Sequence, residues 1–188
     1  MQIAEAQRDV REIYRGGATG TTVSGAVWLI AAAVAQWVDI ETAVIVLFVG
    51  GMLIFPLSAA LLRILAGPAT LPRGHPMNAL GAQLAVVVPL GVLLAALVST
   101  ARPEWFFPFA AAIVGAHYFP FVFLYGMGEY AVLAAVLVTL AAVLILWPAG
   151  VATAAWATGL VELLASPVLL WGARRRSGSS PTDTPTQA

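Results

Sequence analysis

Six long apolar stretches divide the chain, and polar residues cluster in the short segments between them. A membrane helix needs about 20 mostly apolar residues, because about 30 Å of hydrocarbon is crossed at about 1.5 Å per residue. No stretch alternates apolar and polar residues as the strands of a membrane barrel do. The pattern therefore predicts an all-α fold, an integral membrane bundle of six transmembrane helices within residues 20–172. The predicted helices cover residues 20–38, 42–65, 78–99, 105–125, 129–147 and 150–171.

The arginines predict how these helices are oriented. Because the connections are short, successive connections alternate between the two faces of the membrane. Arg102 falls on one face, and the other eight arginines fall on the opposite face. Positive residues accumulate in cytoplasmic loops, so both termini are predicted to be cytoplasmic, N-in and C-in. Abundant alanine and arginine without lysine suggest a GC-rich bacterium, and we expect the bacterial cytoplasmic membrane as the location.

Three segments lie outside the apolar stretches. Residues 1–15 are predicted to form a short amphipathic cytoplasmic helix, since apolar and charged residues occupy opposite faces at helical spacing. Residues 66–77, rich in proline and glycine, are predicted to form a loop in which His75 is solvated. Residues 173–188 are predicted to be a disordered cytoplasmic tail. A cleaved signal peptide is the alternative interpretation of the first apolar stretch, but its start carries three acidic residues.

The composition excludes several kinds of site. Of the 188 residues, 61% are hydrophobic and 10% are charged, far from the values of soluble domains. The absence of cysteine excludes disulfides and thiolate nucleophiles, and the absence of lysine excludes a Schiff base. No catalytic or metal-binding motif occurs, and two histidines at different depths do not suit a haem. We therefore expect no enzyme, no cofactor, no metal and no nucleic-acid partner, and the lipid bilayer as the surroundings.

Two ionisable residues lie deep within the predicted helices, namely His117 in the fourth and Glu162 in the sixth. An ionisable residue at the bilayer centre costs about 2.5–3.5 kcal/mol and often marks an ion pathway. The two residues lie at similar depths, so they can meet if their helices are neighbours. We predict an intramembrane polar site around this pair, unless both residues are merely structural. The mouth of its cavity is predicted to be formed by Arg63, Gln83, Glu129 and Tyr130.

Three strings of the sequence are distinctive, at residues 50–58 (GGMLIFPLS), 102–108 (RPEWFFP) and 115–126 (GAHYFPFVFLYG). Together they resemble a family of small, uncharacterised prokaryotic multi-pass membrane proteins, classified as a domain of unknown function. The resemblance covers roughly residues 7–147 and implies no activity. It includes His117 but does not extend to Glu162.

The sequence favours a small-solute or proton transporter or sensor with a polar cavity that faces the cytoplasm. The alternative is a non-transporting membrane scaffold or accessory subunit, in which residues 1–15 and the apolar helix faces bind partner proteins. A homo-oligomer or a membrane partner protein is compatible with either function.

Overall fold

The computed structural model describes residues 1–65 and 69–177, and these residues form helices and connecting turns without strands. Helix α1 (Ile3–Ile13) leads through a 3-10 turn at Arg15–Gly17 into the long helices. The long helices are α2 (Ala18–Trp37), α3 (Ile40–Leu65), α4 (Met77–Val98), α5 (Phe106–Tyr125), α6 (Glu129–Leu146) and α7 (Thr153–Ser177), with a 3-10 turn at Pro103–Trp105 before α5.

Six helices of the described residues are long and apolar enough to cross a membrane, as predicted. Many of their large apolar side chains face outward, for example Ile45 on α3, Leu94 on α4 and Val132 on α6. Such exposed apolar surface suits contact with lipid. The all-α architecture and the number of apolar helices are thus confirmed.

The tail prediction was wrong for its first residues. Residues 173–177 continue α7, so the three consecutive arginines at 174–176 lie in its last turn, where cations interact favourably with the helix dipole. The rest of the predicted tail, residues 178–188, lies outside the described residues.

The helices form a ring in the order α3, α2, α7, α6, α5, α4, and α5 also touches α7 across the centre. Close packing depends on small residues, as is common in membrane bundles. A Cβ atom added to Gly25 on α2 would lie 2.9 Å from the carbonyl oxygen of Gly159 on α7, and the reverse also holds. The ring is weakest between α3 and α4, which contact each other at few positions.

The connection between α1 and α2 has an unusual backbone. Arg15, Gly16 and Gly17 all have positive φ angles, of 51°, 66° and 79°. Glycine tolerates this left-handed region because it lacks a Cβ atom. The turn places α1 across one end of the bundle, where Ala6 and Val10 are buried.

Candidate functional site

A cavity of about 440 Å³ lies among α2, α3, α4 and α5, next to the weak contact between α3 and α4. Most of its wall is aliphatic or aromatic, including Trp28, Leu47, Phe48, Val88, Val92 and Val114. The polar side chains in the wall are those of Tyr14, Thr19, Thr21, Ser24, Ser58, Asn78, His117, Tyr118 and Tyr125. His117 belongs to the wall of this cavity, whose lining is mainly apolar, whereas the sequence predicts a polar cavity.

Helix α1 and the segment before α4 close one end of the cavity. Val10 and Tyr14 from α1 line it, as do Ala69 and Leu71. The hydroxyl of Tyr14 accepts a hydrogen bond of 3.3 Å from the backbone N–H of Leu71, which joins the two closing segments.

Two side chains of α1 bind the end of α5. Gln7 Nε2 donates to the carbonyl oxygen of Phe123, and Arg11 Nη1 donates to that of Tyr125, both at 2.6 Å. The last carbonyl groups of a helix have no partner within the helix and carry partial negative charge, so they favour a cation. Partial burial, together with the nearby Arg176, lowers the pKa of Arg11, which stays charged because an arginine pKa is so high. Helix α1 is thus fastened to the bundle by polar contacts as well as by apolar packing.

The prediction that His75 is solvated was wrong. His75 is buried, and its Nδ1 accepts a hydrogen bond of 3.2 Å from the backbone N–H of Met77 at the start of α4. Its Nε2 lies 3.4 Å from Asp9 Oδ2 on α1. His75 therefore joins the segment before α4 to α1, on the side where the cavity is closed.

The carboxyl group of Glu162 is fully buried, and Glu162 is not one of the described residues that line the cavity. Its Oε1 accepts a hydrogen bond of 2.8 Å from the hydroxyl of Tyr118, which does line the cavity. The Ser24 hydroxyl on α2 approaches the same carboxyl group. Among the described residues, Glu162 Oε2 has no hydrogen-bond partner, nor has the hydroxyl of Thr158, one turn earlier on α7.

His117 lies beside this arrangement, and the hydrogen bond to Glu162 comes from its neighbour Tyr118. The ring of His117 packs edge-on against Phe121 at 4.7 Å, and its buried Nδ1 has no hydrogen-bond partner in the described part of the chain. Sequence reasoning missed Tyr118, although a hydroxyl at the same depth as a buried carboxylate was the available signal. The structure thus places both predicted residues near the cavity wall and supplies a different partner for Glu162.

The four residues that were predicted to form the mouth of the cavity do not all lie together in the structure. Arg63 and Gln83 are exposed and lie outside the cavity lining. Glu129 forms an ion pair of 2.7 Å with Arg176, which joins the start of α6 to the end of α7. Tyr130 is fully buried, and its hydroxyl donates to the carbonyl oxygen of Gly16 at 2.7 Å.

An aromatic cluster connects Tyr130 with the cavity wall. The ring of Tyr130 stacks on Tyr118 at 5.8 Å and on Tyr125 at 5.1 Å. Phe121 packs against all three tyrosines. Such packing restricts the positions that these rings can adopt. The cluster therefore holds Tyr118 between the cavity and Glu162.

Comparison with known proteins identifies a family but no function. A family model described as a family of unknown function (DUF7010) matches residues 3–172. No curated protein and no solved structure matches the chain. The match extends into α7 as far as residue 172 and so includes Glu162, beyond the part that the sequence resemblance covered.

Proposed function

The chain belongs to the family of unknown function DUF7010, which supplies no activity, and from the geometry we propose a membrane protein that binds a small amphipathic solute as a transporter or sensor. The cavity among α2–α5 is the observation that carries this proposal. Its volume of about 440 Å³ falls within the range of about 300–1,000 Å³ that is typical of small-molecule sites. Such sites are mainly apolar with a few polar groups that orient the ligand.

The lining indicates the chemistry of the solute. Aliphatic and aromatic side chains suit an apolar body, and His117 adds a polar ring to the wall of the cavity. Ser24 and Tyr118, which both carry hydroxyl groups, lie in the same wall. We propose a solute with one apolar part and one polar group, rather than a sugar or a nucleotide, which would need many more hydrogen-bonding partners.

We propose that the solute enters between α3 and α4. Gly51 on α3 and Gly81 on α4 both line the cavity, and a Cβ atom added to either would meet no atom of the described residues within 4 Å. The sparse contact between these helices makes their separation the least costly opening of the ring. The end of the cavity next to α1 is covered by α1 and the segment before α4.

The predicted orientation completes the proposal. Eight of nine arginines lie toward the face that carries α1, so we propose that this face is cytoplasmic, in a bacterial cytoplasmic membrane. The closed end of the cavity then faces the cytoplasm.

The scaffold alternative gains no support from α1. Ala6 and Val10, which belong to its apolar face, are buried against the protein's own bundle. A partner would have to displace α1 before binding these residues. Neither a homo-oligomer nor a partner protein is favoured by a particular contact among the described residues.

Cysteine protection tests the cavity directly, because the chain has no cysteine of its own. Gly51→Cys places a single thiol at the cavity, where an added Cβ atom meets free space. Leu94→Cys, at an outward-facing position of α4 that is 61% exposed, is the matched control. Both variants are reconstituted in lipid nanodiscs and modified with methyl methanethiosulfonate. The probes are hexanol, hexanoate and hexylamine, which share an apolar chain and differ in head-group charge.

We expect at least one probe to slow modification of Gly51→Cys by a factor of 1 + [L]/Kd, about tenfold at a probe concentration near ten times Kd. Simple partition into the lipid would slow the Leu94→Cys control equally. Equal effects on the two thiols for all three probes would refute a solute site in this cavity.

Uptake of the protecting probe separates a transporter from a sensor. A transporter should carry the radiolabelled probe into proteoliposomes above the rate of protein-free vesicles, and Gly81→Leu should abolish the excess by filling the cavity. Binding without excess uptake would favour a sensor.

A further inference from the structure

Tyr118, together with Ser24, lies between the cavity and a buried carboxyl group. Tyr118 lines the cavity, and its hydroxyl donates to Glu162 Oε1 at 2.8 Å. Glu162 is fully buried on α7. Any change in the position of Tyr118 therefore alters the surroundings of this carboxyl group as well as the shape of the cavity.

No positive charge balances Glu162 among the described residues. The ion pairs found there join His75 to Asp9, Arg102 to Glu104 and Arg176 to Glu129. An unbalanced carboxylate within the hydrocarbon layer is expensive, whereas the neutral acid avoids that cost. The site therefore favours a proton on Glu162.

The groups that face Glu162 are uncharged. Tyr118 on α5 contacts it, and the ring of Tyr130 on α6 stacks on Tyr118 from behind. Helix α2 contributes the Ser24 hydroxyl, and α7 itself contributes the hydroxyl of Thr158. The nearest arginine of α7 in sequence lies twelve residues away, about 18 Å along the helix. The arginines of α1 and of the turn that follows it also lie at this end of the bundle.

Two buried oxygen atoms mark the place where the proton can reside. Tyr118 donates to Oε1, which leaves Oε2 as the proton-bearing atom, and Oε2 has no hydrogen-bond partner within residues 1–65 and 69–177. The hydroxyl of Thr158, one turn earlier on the same buried face of α7, also lacks a hydrogen-bond partner among these residues. An unsatisfied carboxyl oxygen and an unsatisfied hydroxyl on one face form a polar position without solvent access.

We propose that Glu162 is an exchangeable proton site, coupled to the cavity through Tyr118. When Tyr118 moves away from Oε1, the O–H bond of the Glu162 acid breaks and its proton passes to water or to a basic solute in the cavity. A carboxylate remains, and the reverse transfer restores the neutral acid. The coupling to a solute rests on the proposed function, whereas the proton on Glu162 does not.

Infrared spectroscopy of the full chain in lipid nanodiscs tests the proton site without any solute. At neutral pH the wild-type protein should show the carbonyl stretch of a protonated carboxyl group, which Glu162→Gln removes. Glu129→Gln is the control, because Glu129 is paired with Arg176 and contributes a carboxylate instead. Tyr118→Phe should shift the band, since it removes the hydrogen bond to Oε1. If Glu162→Gln does not fold, the shift caused by Tyr118→Phe assigns the band to Glu162 instead.

Exchange and coupling have separate readouts. In deuterated buffer the band should move to its deuterated position in the folded protein, and Tyr118→Phe should change the rate of that movement. The absence of an acid band that depends on Glu162 or Tyr118 would overturn the proposal, and so would a band that never exchanges.

The probe that protects Gly51→Cys should also change the acid band. An unchanged band with bound probe would refute the coupling, whereas absence of any protecting probe would refute the proposed function and leave the proton result to stand by itself.

Discussion

Replacing Gly17 by alanine should destabilise the protein through a specific overlap with Tyr130. Gly17 has a φ angle of 79°, in a region that costs an ordinary residue about 1–2 kcal/mol. The added Cβ atom would also overlap the Tyr130 hydroxyl and lie 3.1 Å from the ring of Tyr125. If Tyr130 moves, the buried carbonyl of Gly16 loses its hydrogen bond, at about 1–3 kcal/mol. The expected loss in the free energy of unfolding is therefore about 2–5 kcal/mol.

The overlap predicts that substitutions of Gly17 and Tyr130 do not affect the free energy of unfolding independently. Tyr130→Phe alone should cost about 1–3 kcal/mol, because it leaves the Gly16 carbonyl unsatisfied. In the double variant Gly17→Ala/Tyr130→Phe the overlapping hydroxyl is absent, so the total loss should be smaller than the sum of the two single losses, by about 0.5–3 kcal/mol.

The assay is reversible unfolding in mixed detergent micelles, followed by circular dichroism. Gly128→Ala is the control, since Gly128 has a φ angle of −65° and an added Cβ atom would meet no atom within 4 Å. Its effect should stay within about 0.5 kcal/mol. Strictly additive losses, or a Gly17→Ala variant as stable as the control, would refute the geometry of this turn.

Three further predictions concern closure, capping and orientation. Arg11→Met removes the hydrogen bond to the end of α5 and should speed methanethiosulfonate modification of Gly51→Cys; an unchanged rate would show that α1 does not control access. Asp39 accepts hydrogen bonds from the backbone N–H of Thr42 at 2.6 Å and from its hydroxyl, and these bonds hold the pKa of Asp39 below its ordinary 3.8. A depressed pKa stabilises the fold above the unfolded-state value, so Asp39→Ala should lower the melting temperature at neutral pH, and this difference should shrink as the pH falls below about 4. The single-cysteine variants Arg73→Cys and Ala101→Cys should differ in their reaction with a membrane-impermeant maleimide in intact cells. Only Ala101→Cys should react, and the opposite result would reverse the orientation.

Much of the fold could be predicted because membrane helices leave a strong signal in sequence. Long apolar stretches account for the six helices, since each must satisfy its own backbone hydrogen bonds in lipid. Glu162 was recognisable for the same reason, because a carboxylate within such a stretch needs a special environment. Its burial follows from its position in the chain, whereas its partner does not.

The partner depends on how the helices rotate and which of them become neighbours. Successive residues of a helix differ by about 100° in direction, so Tyr118 can face Glu162 while His117 packs against Phe121. Sequence spacing along one helix carries no information about rotation relative to another. The same reason explains why Tyr130, predicted at a cavity mouth, instead holds the carbonyl of Gly16.

The sequence by itself determined that the chain is an all-α protein with six helices apolar enough to span a membrane, and that Glu162 lies within the last of them. Only the tertiary structure decided that α1 folds back over the bundle, that a mainly apolar cavity lies among α2–α5, and that Tyr118 joins this cavity to Glu162. The physical reason is that helix formation in lipid depends on local composition. Cavities and buried hydrogen bonds depend instead on how side chains from distant parts of the chain fit together.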